Sequence, residues 1–168
     1  MAVFGATKLK VDVITNDGRV AGLVGSAGNL ADLLNKRAVI PLTEAQAGPL
    51  SGAMAPVKQA EIDPYDTILV GAATGCAPVV GATDRSAMSK FRDAYDAVYE
   101  AGKIRVAGTI YAIPGHDPMD TLDRSIELAI PIFDLAVTLN GAPIPFARDA
   151  AIIGRPNVKV VSARKKAA

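Results

Sequence analysis

Apolar and polar residues alternate along Leu9-Lys10-Val11-Asp12-Val13, the period-two pattern of a strand with one buried face. Asn16-Asp17-Gly18 follows, and Asp-Gly between two such runs signals a tight hairpin, with Arg19 to Val24 as the returning strand. Over Asn29 to Lys36 the pattern becomes that of a short helix. Asn29 stands as its N-cap, Asp32 places a carboxylate at the third position, and Lys36 places a cation in the last turn. Ala38 to Thr43 reads as the next strand, which Pro41 confines to an edge or a bulge because it has no N–H to donate. An Ala/Gly/Pro-rich stretch, Ala47 to Pro56, then leads to a buried strand at Thr67 to Gly71.

The second half contains one conflict. Met88, Phe91, Tyr95 and Val98 are spaced as on one face of a helix. Alignment with the first half instead lays Tyr95–Val106 over the hairpin Leu9–Val20, with Ala101-Gly102 at the turn. A repeat carries more weight than one local period, so a hairpin is expected here and any helix is confined to about Arg85–Ala94. A strand then runs to Ile113, and Asp117-Pro118-Met119-Asp120 supplies the N-cap, N1 proline and N3 carboxylate of a second short helix. Leu128 to Leu139 is strand-like, Asn140-Gly141 is a hairpin turn, and Ala142 to Phe146 returns. Strands near Ala150–Ile153 and Val158–Val161 flank the turn Gly154-Arg155-Pro156-Asn157.

The repeat itself rests on short matches kept in order. Val20-Ala21-Gly22 recurs as Val106-Ala107-Gly108, Leu34-Asn35-Lys36 as Leu122-Asp123-Arg124, and Ile40-Pro41-Leu42 as Ile130-Pro131-Ile132. Asp66–Gly71 returns as Asp149–Gly154. The expected fold is therefore α+β and mostly β: two tandem pseudo-symmetric units, each a hairpin, a short capped helix and further strands. The expected boundaries are 1–72 for the first unit, 73–94 for a connector and 95–168 for the second, packed as one body.

Gly108-Thr109-Ile110-Tyr111-Ala112-Ile113-Pro114, Leu122-Asp123-Arg124 and Ile130-Pro131-Ile132-Phe133-Asp134-Leu135-Ala136-Val137 resemble an uncharacterised bacterial family of small β-rich domains. In the first half Leu30–Asn35 and Val39–Ala45 carry the same likeness. The resemblance implies a fold and no activity.

Composition narrows the chemistry. Eighteen basic and 17 acidic side chains leave a formal charge of +1, which provides no global field for nucleic acid or an anionic membrane. Only 5% of residues are aromatic and none is Trp, so the core must be built from Val, Ile, Leu and Ala. One cysteine, Cys76, excludes an intramolecular disulfide and any multi-cysteine metal site. Lys8, Lys10 and Asp12 interrupt the start, and no apolar run reaches the ~18 residues of a membrane span, so a soluble, cytoplasmic protein without membrane insertion is expected.

His116 and Asp117 form a pair with acid–base or single-ligand potential, although Asp117 also serves as a cap, while the acid pairs Asp63/Asp66 and Asp93/Asp96 read by default as surface charge. The glycine-rich segment around Cys76 lacks the Gly-Lys-Ser/Thr ending of a phosphate loop and reads as a connector. Met88, Phe91, Tyr95 and Tyr99 concentrate large side chains into a candidate contact surface, or a cover for the seam between the units. No cofactor, metal or catalytic residue is assigned. The expectation is a non-catalytic structural, assembly or adaptor protein, a subunit of a larger complex that binds another protein or copies of itself. The first alternative is a small-ligand binder or enzyme with a site between the repeats near His116, and the second is an RNA-binding small β-barrel.

Overall fold

The computed structural model of the chain describes residues 7–26, 34–72, 90, 92–112, 115, 129–146 and 150–166. In chain order the strands are β1 (Thr7–Thr15), β2 (Arg19–Ser26), β3 (Ile40–Gly48), β4 (Ala55–Pro56), β5 (Ala60–Ile62) and β6 (Thr67–Ala72). They continue as β7 (Asp93–Ala101), β8 (Ile104–Ala112), β9 (Ala129–Leu139), β10 (Ala142–Pro143), β11 (Ala150–Gly154) and β12 (Lys159–Lys165). All pair antiparallel in one sheet of order β12-β7-β8-β9-β11-β6-β1-β2-β3-β4, with β5 on β3 and β10 on β9 as side pairs.

The hairpins follow the turn chemistry. Gly18 lies at φ 155° where a Cβ would press on the Gly48 carbonyl, and the Thr15 N–H donates to the Gly18 carbonyl at 2.9 Å. Asn140 and Gly141 both have positive φ, 52° and 83°, as a two-residue turn matched to strand twist requires. Tyr95–Glu100 is strand: β7 pairs with β8 from Asp93–Ala112 to Ala101–Ile104, so the hairpin expected there is present and the local helical spacing is not followed. Pro41 and Pro131 lie where β3 and β9 are paired on one side only, to Glu61 and Ile152, so neither breaks a ladder.

The sheet cannot be flat. β5 and β6 stand at opposite ends of the path β6-β1-β2-β3-β5, roughly 19 Å apart in a flat sheet of ~4.8 Å spacing. Only Asp63–Asp66 joins them, folded into a turn in which the Asp66 N–H donates to the Asp63 carbonyl at 3.0 Å, and such a turn spans no more than about 7 Å. The five strands must therefore coil round a core. The turn Arg155–Asn157 imposes the same on β12-β7-β8-β9-β11.

Each coil has its own apolar filling. Leu9, Val11, Val13, Val24, Ile40, Leu42, Ile62 and Val70 form the first core, to which Leu34 also belongs. Ala97, Tyr99, Ile104, Val106, Ile110, Ile132, Leu135, Val137, Ala151 and Ile153 form the second. Between them β6 and β11 are buried on both faces: Val70 and Ile152 face the first core, while Leu69, Ala151 and Ile153 face the second. That double burial explains why Ile68-Leu69-Val70 and Ala151-Ile152-Ile153 read as unbroken apolar runs.

Three expectations are corrected. The mostly-β class holds, but no capped helix is shown. Among described residues the first expected helix keeps only the turn Leu34–Arg37, closed by the Arg37 N–H on the Leu34 carbonyl at 3.1 Å, and its cap Asn29 lies outside them. The second, with its cap Asp117, also lies outside. The Ala/Gly/Pro-rich stretch from Ala47 is part of the sheet: the chain turns at Pro49–Gly52 and returns as β4 against Gln46 and Ala47. Pro and Gly there shape a turn between paired strands, where the sequence suggested only a passage to the next strand. Last, the helix expected over Arg85–Ala94 lies mostly outside the described residues and does not reach Ala94, because Asp93 and Ala94 pair with Ala112 and Tyr111.

Candidate functional site

The site-forming features are the seam between the two coils and two of the strand edges that carry no described partner, those of β5 and β12. The seam pairs β11 with β6 as Ala151–Gly71, Ile152–Val70 and Ile153–Leu69. Gly154 makes the close approach possible, since a Cβ there would overlap the Thr67 carbonyl oxygen. Asn157, on the turn that leaves β11, donates through Nδ2 to the carbonyls of Tyr65 (2.7 Å) and Thr67 (2.9 Å). Across the seam, Asp63 Oδ1 accepts from the Tyr65 N–H at 2.9 Å and the Asp63 carbonyl accepts from Thr67 Oγ1 at 2.7 Å, so the turn that Asn157 grips is itself fixed.

At one end of the sheet lies β5, paired on one side to Ile40–Leu42 of β3. Ile62 points into the first core while Glu61 is exposed, and exposed Asp63 and Asp66 follow it. Beside this edge Pro41, Leu42, Lys58, Gln59, Ala60 and Glu61 line a groove of about 510 Å³. At the other end lies β12, held to β7 by its ladder and by the ion pairs Lys165–Asp93 (3.4 Å) and Lys166–Asp96 (3.5 Å). Lys159, Val161, Arg164 and Lys165 are exposed along it. One edge is thus acidic in balance and the other basic.

His116, Asp117, Cys76, Met88 and Phe91 lie outside the described residues. Of the proposed contact cluster, Tyr95 is half-buried on β7 and Tyr99 is inside the second core at 1% exposure. The Tyr99 hydroxyl is buried without a hydrogen-bond partner, and burial pushes its pKa above the ordinary tyrosine value. Tyr99 is therefore a core residue and presents nothing to a partner. Of the acid pairs, Asp93 and Asp96 bind lysines of the C-terminal segment, and Asp63 organises its turn.

Among the described residues no group of three or more His, Cys, Asp or Glu could hold a metal, and no helix is long and apolar enough to cross a membrane. Sequence reasoning missed β5 and found only the first part of β12, as the strand expected near Val158–Val161. β5 is three residues long, with one charged side chain in the middle, and the period-two signal needs a longer run. No protein-family model, curated protein or solved structure matches this chain.

Proposed function

We propose that this protein is a non-catalytic structural or assembly subunit that works through protein–protein contacts, built from two tandem units of one plan. The correspondence of the two strand ladders carries this reading. β1-β2-β3 and β7-β8-β9 are both meanders, and in each the third strand holds two short partners on its outer edge while the last strand of the set returns to the first.

The registers agree residue by residue. Ile40–Ile62, Pro41–Glu61 and Leu42–Ala60 correspond to Ile130–Ile153, Pro131–Ile152 and Ile132–Ala151. Val13–Val70 corresponds to Tyr99–Val160 and Asp12–Gly71 to Val98–Ser162. Both meanders also bulge at the same place, where the register shifts between Ala21 and Leu23 and between Ala107 and Thr109. Glu44 and Asp134 take positive φ in those bulges, 50° and 51°. Gly22 and Gly108 lie opposite, where a Cβ would press on Thr43 and Leu42 or on Phe133 and Ile132.

On this plan β5 is the counterpart of β11, and β6 of β12. The units then join head to tail, the β11 edge of one against the β6 edge of the other. A body whose own halves meet edge to edge by a directional contact is suited to building larger assemblies. Sedimentation of purified protein over a wide concentration range, with chemical cross-linking in lysate of the source cells, tests the function. An assembly subunit gives a species larger than one chain or a stoichiometric cross-linked partner. A strict monomer that cross-links to nothing overturns the proposal.

A further inference from the structure

Resting on the assembly reading above, we infer that a second copy of this chain adds to the sheet through β5 and β12, repeating between copies the seam that β11 and β6 make within one. Head-to-tail contacts leave one unused edge of each kind at the ends. Here those are β5, in the position of β11, and β12, in the position of β6. No described strand pairs with the outer edge of either.

The register follows from the internal seam. Ala151–Gly71 becomes Ala60 opposite Ser162 of the next copy, Ile152–Val70 becomes Glu61 opposite Val160, and Ile153–Leu69 becomes Ile62 opposite Lys159. Charge favours this approach: Glu61, Asp63 and Asp66 stand at one edge beside Lys58, and Lys159 and Arg164 at the other, where Lys165 is already paired with Asp93. Opposed potentials of this kind steer encounter and set orientation. The contact is weaker than the internal seam, because Glu61 and Lys159 replace Ile152 and Leu69, and Asp63 stands where Gly154 allows close approach. It is therefore reversible and salt-sensitive. Because the two edges differ, a chain of copies closes into a ring or grows as a filament.

The test uses the full chain with Cys76 replaced by Ala, carrying Ala60→Cys and Ser162→Cys together or singly. Oxidation, or a short bis-maleimide, is expected to give a ladder of covalent multimers from the double variant and no species beyond a dimer from either single one. Mixing the two single variants should give a heterodimer. Independently, Lys159→Glu with Arg164→Glu, both at exposed positions, should weaken self-association at low salt by at least tenfold while leaving the melting temperature within about 2 °C. Self-association that survives the charge reversal and yields no ladder overturns this seam while leaving the assembly function standing. A chain that is monomeric at every concentration yet holds another protein in stoichiometric complex does the same. A monomer without any partner overturns both.

Discussion

Gly154→Ala is the substitution to which the internal seam is most exposed. Gly154 has ordinary extended dihedrals, φ −78° and ψ 94°, so alanine brings no backbone strain of its own. The cost is steric. The new Cβ would overlap the Thr67 carbonyl oxygen, with the Thr67 carbonyl carbon at 2.7 Å, and both are backbone atoms of a fully packed strand. Relief requires β11 and β6 to separate, which loosens the Ile153–Leu69 pair beside it and pulls Asn157 from the Tyr65 and Thr67 carbonyls. Forced overpacking costs about 1–3 kcal/mol and each lost hydrogen bond about 1 kcal/mol. The sum is about 3–5 kcal/mol, or a fall of roughly 10 °C in melting temperature for a chain of this size. Differential scanning calorimetry reads this directly. Gly25→Ala, which meets nothing within 4 Å, is the matched control and should stay within about 0.5 kcal/mol of the parent. A Gly154→Ala melting point within about 2 °C of the parent would refute the close seam.

The remaining predictions concern single sites. Tyr99→Phe removes a buried hydroxyl that has no partner and keeps the ring, so urea unfolding should show stability unchanged or raised by about 1 kcal/mol. Because burial raises the Tyr99 pKa in the folded state, the parent should lose stability as pH climbs above ~10, where the unfolded tyrosine ionises first, and this loss should shrink in the Phe variant. Asp12 and Arg19 form an ion pair across β1 and β2, with side chains only 24% and 11% exposed, and the Arg19 guanidinium also lies 6.0 Å from the Phe146 ring centroid. Asp12→Ala should cost about 1–2 kcal/mol, and adding Arg19→Met should cost less than the separate effects combined, as measured by a double-mutant cycle. Gly108→Ala should destabilise more than Gly22→Ala in thermal melts, because its Cβ would stand 2.7 Å from Ile132 and 2.8 Å from the Phe133 carbonyl, against 3.0 Å for the nearest atom at Gly22.

Strands and turns were legible wherever local chemistry and burial agree. Asn140-Gly141 announces its hairpin because the two-residue turn demands residues that tolerate positive φ, and Asp17-Gly18 does so in a three-residue loop where only Gly18 has positive φ. The alternation in Leu9–Val13 is the imprint of one buried face. Tyr95 was recoverable only because a distant segment resembled it, the local spacing alone pointing to a helix. The sheet's connectivity was less legible. Asp66–Gly71 and Asp149–Gly154 look alike in sequence, and β6 and β11 lie side by side in the sheet. Their likeness has a physical source in double burial, which selects an apolar run whatever the strand's position. The edges left no such mark, since a short or charged strand is what keeps an open edge from pairing indiscriminately.

That same rule sets an order of strengths along the sheet. At the seam inside the chain the paired side chains are Ile, Leu, Val and Ala, and a glycine lets the backbones close; both strands belong to one chain, so their meeting does not depend on concentration. At the outer edges the counterpart positions hold Glu61, Lys159, Ser162 and Asp63, each polar and each facing water in a single copy or half-shielded from it. An edge of that composition costs little when unpaired and gains most from pairing with an edge of opposite net charge. On the proposed assembly, the permanent contact is apolar and intramolecular, and the reversible one is polar and between copies. Exchanging the two characters should exchange the behaviour: Glu61→Ile with Lys159→Leu recreates the internal pairing at the outer edges. In sedimentation that variant should remain associated at salt concentrations that dissociate the parent, and an unchanged salt dependence would show that these edges do not meet.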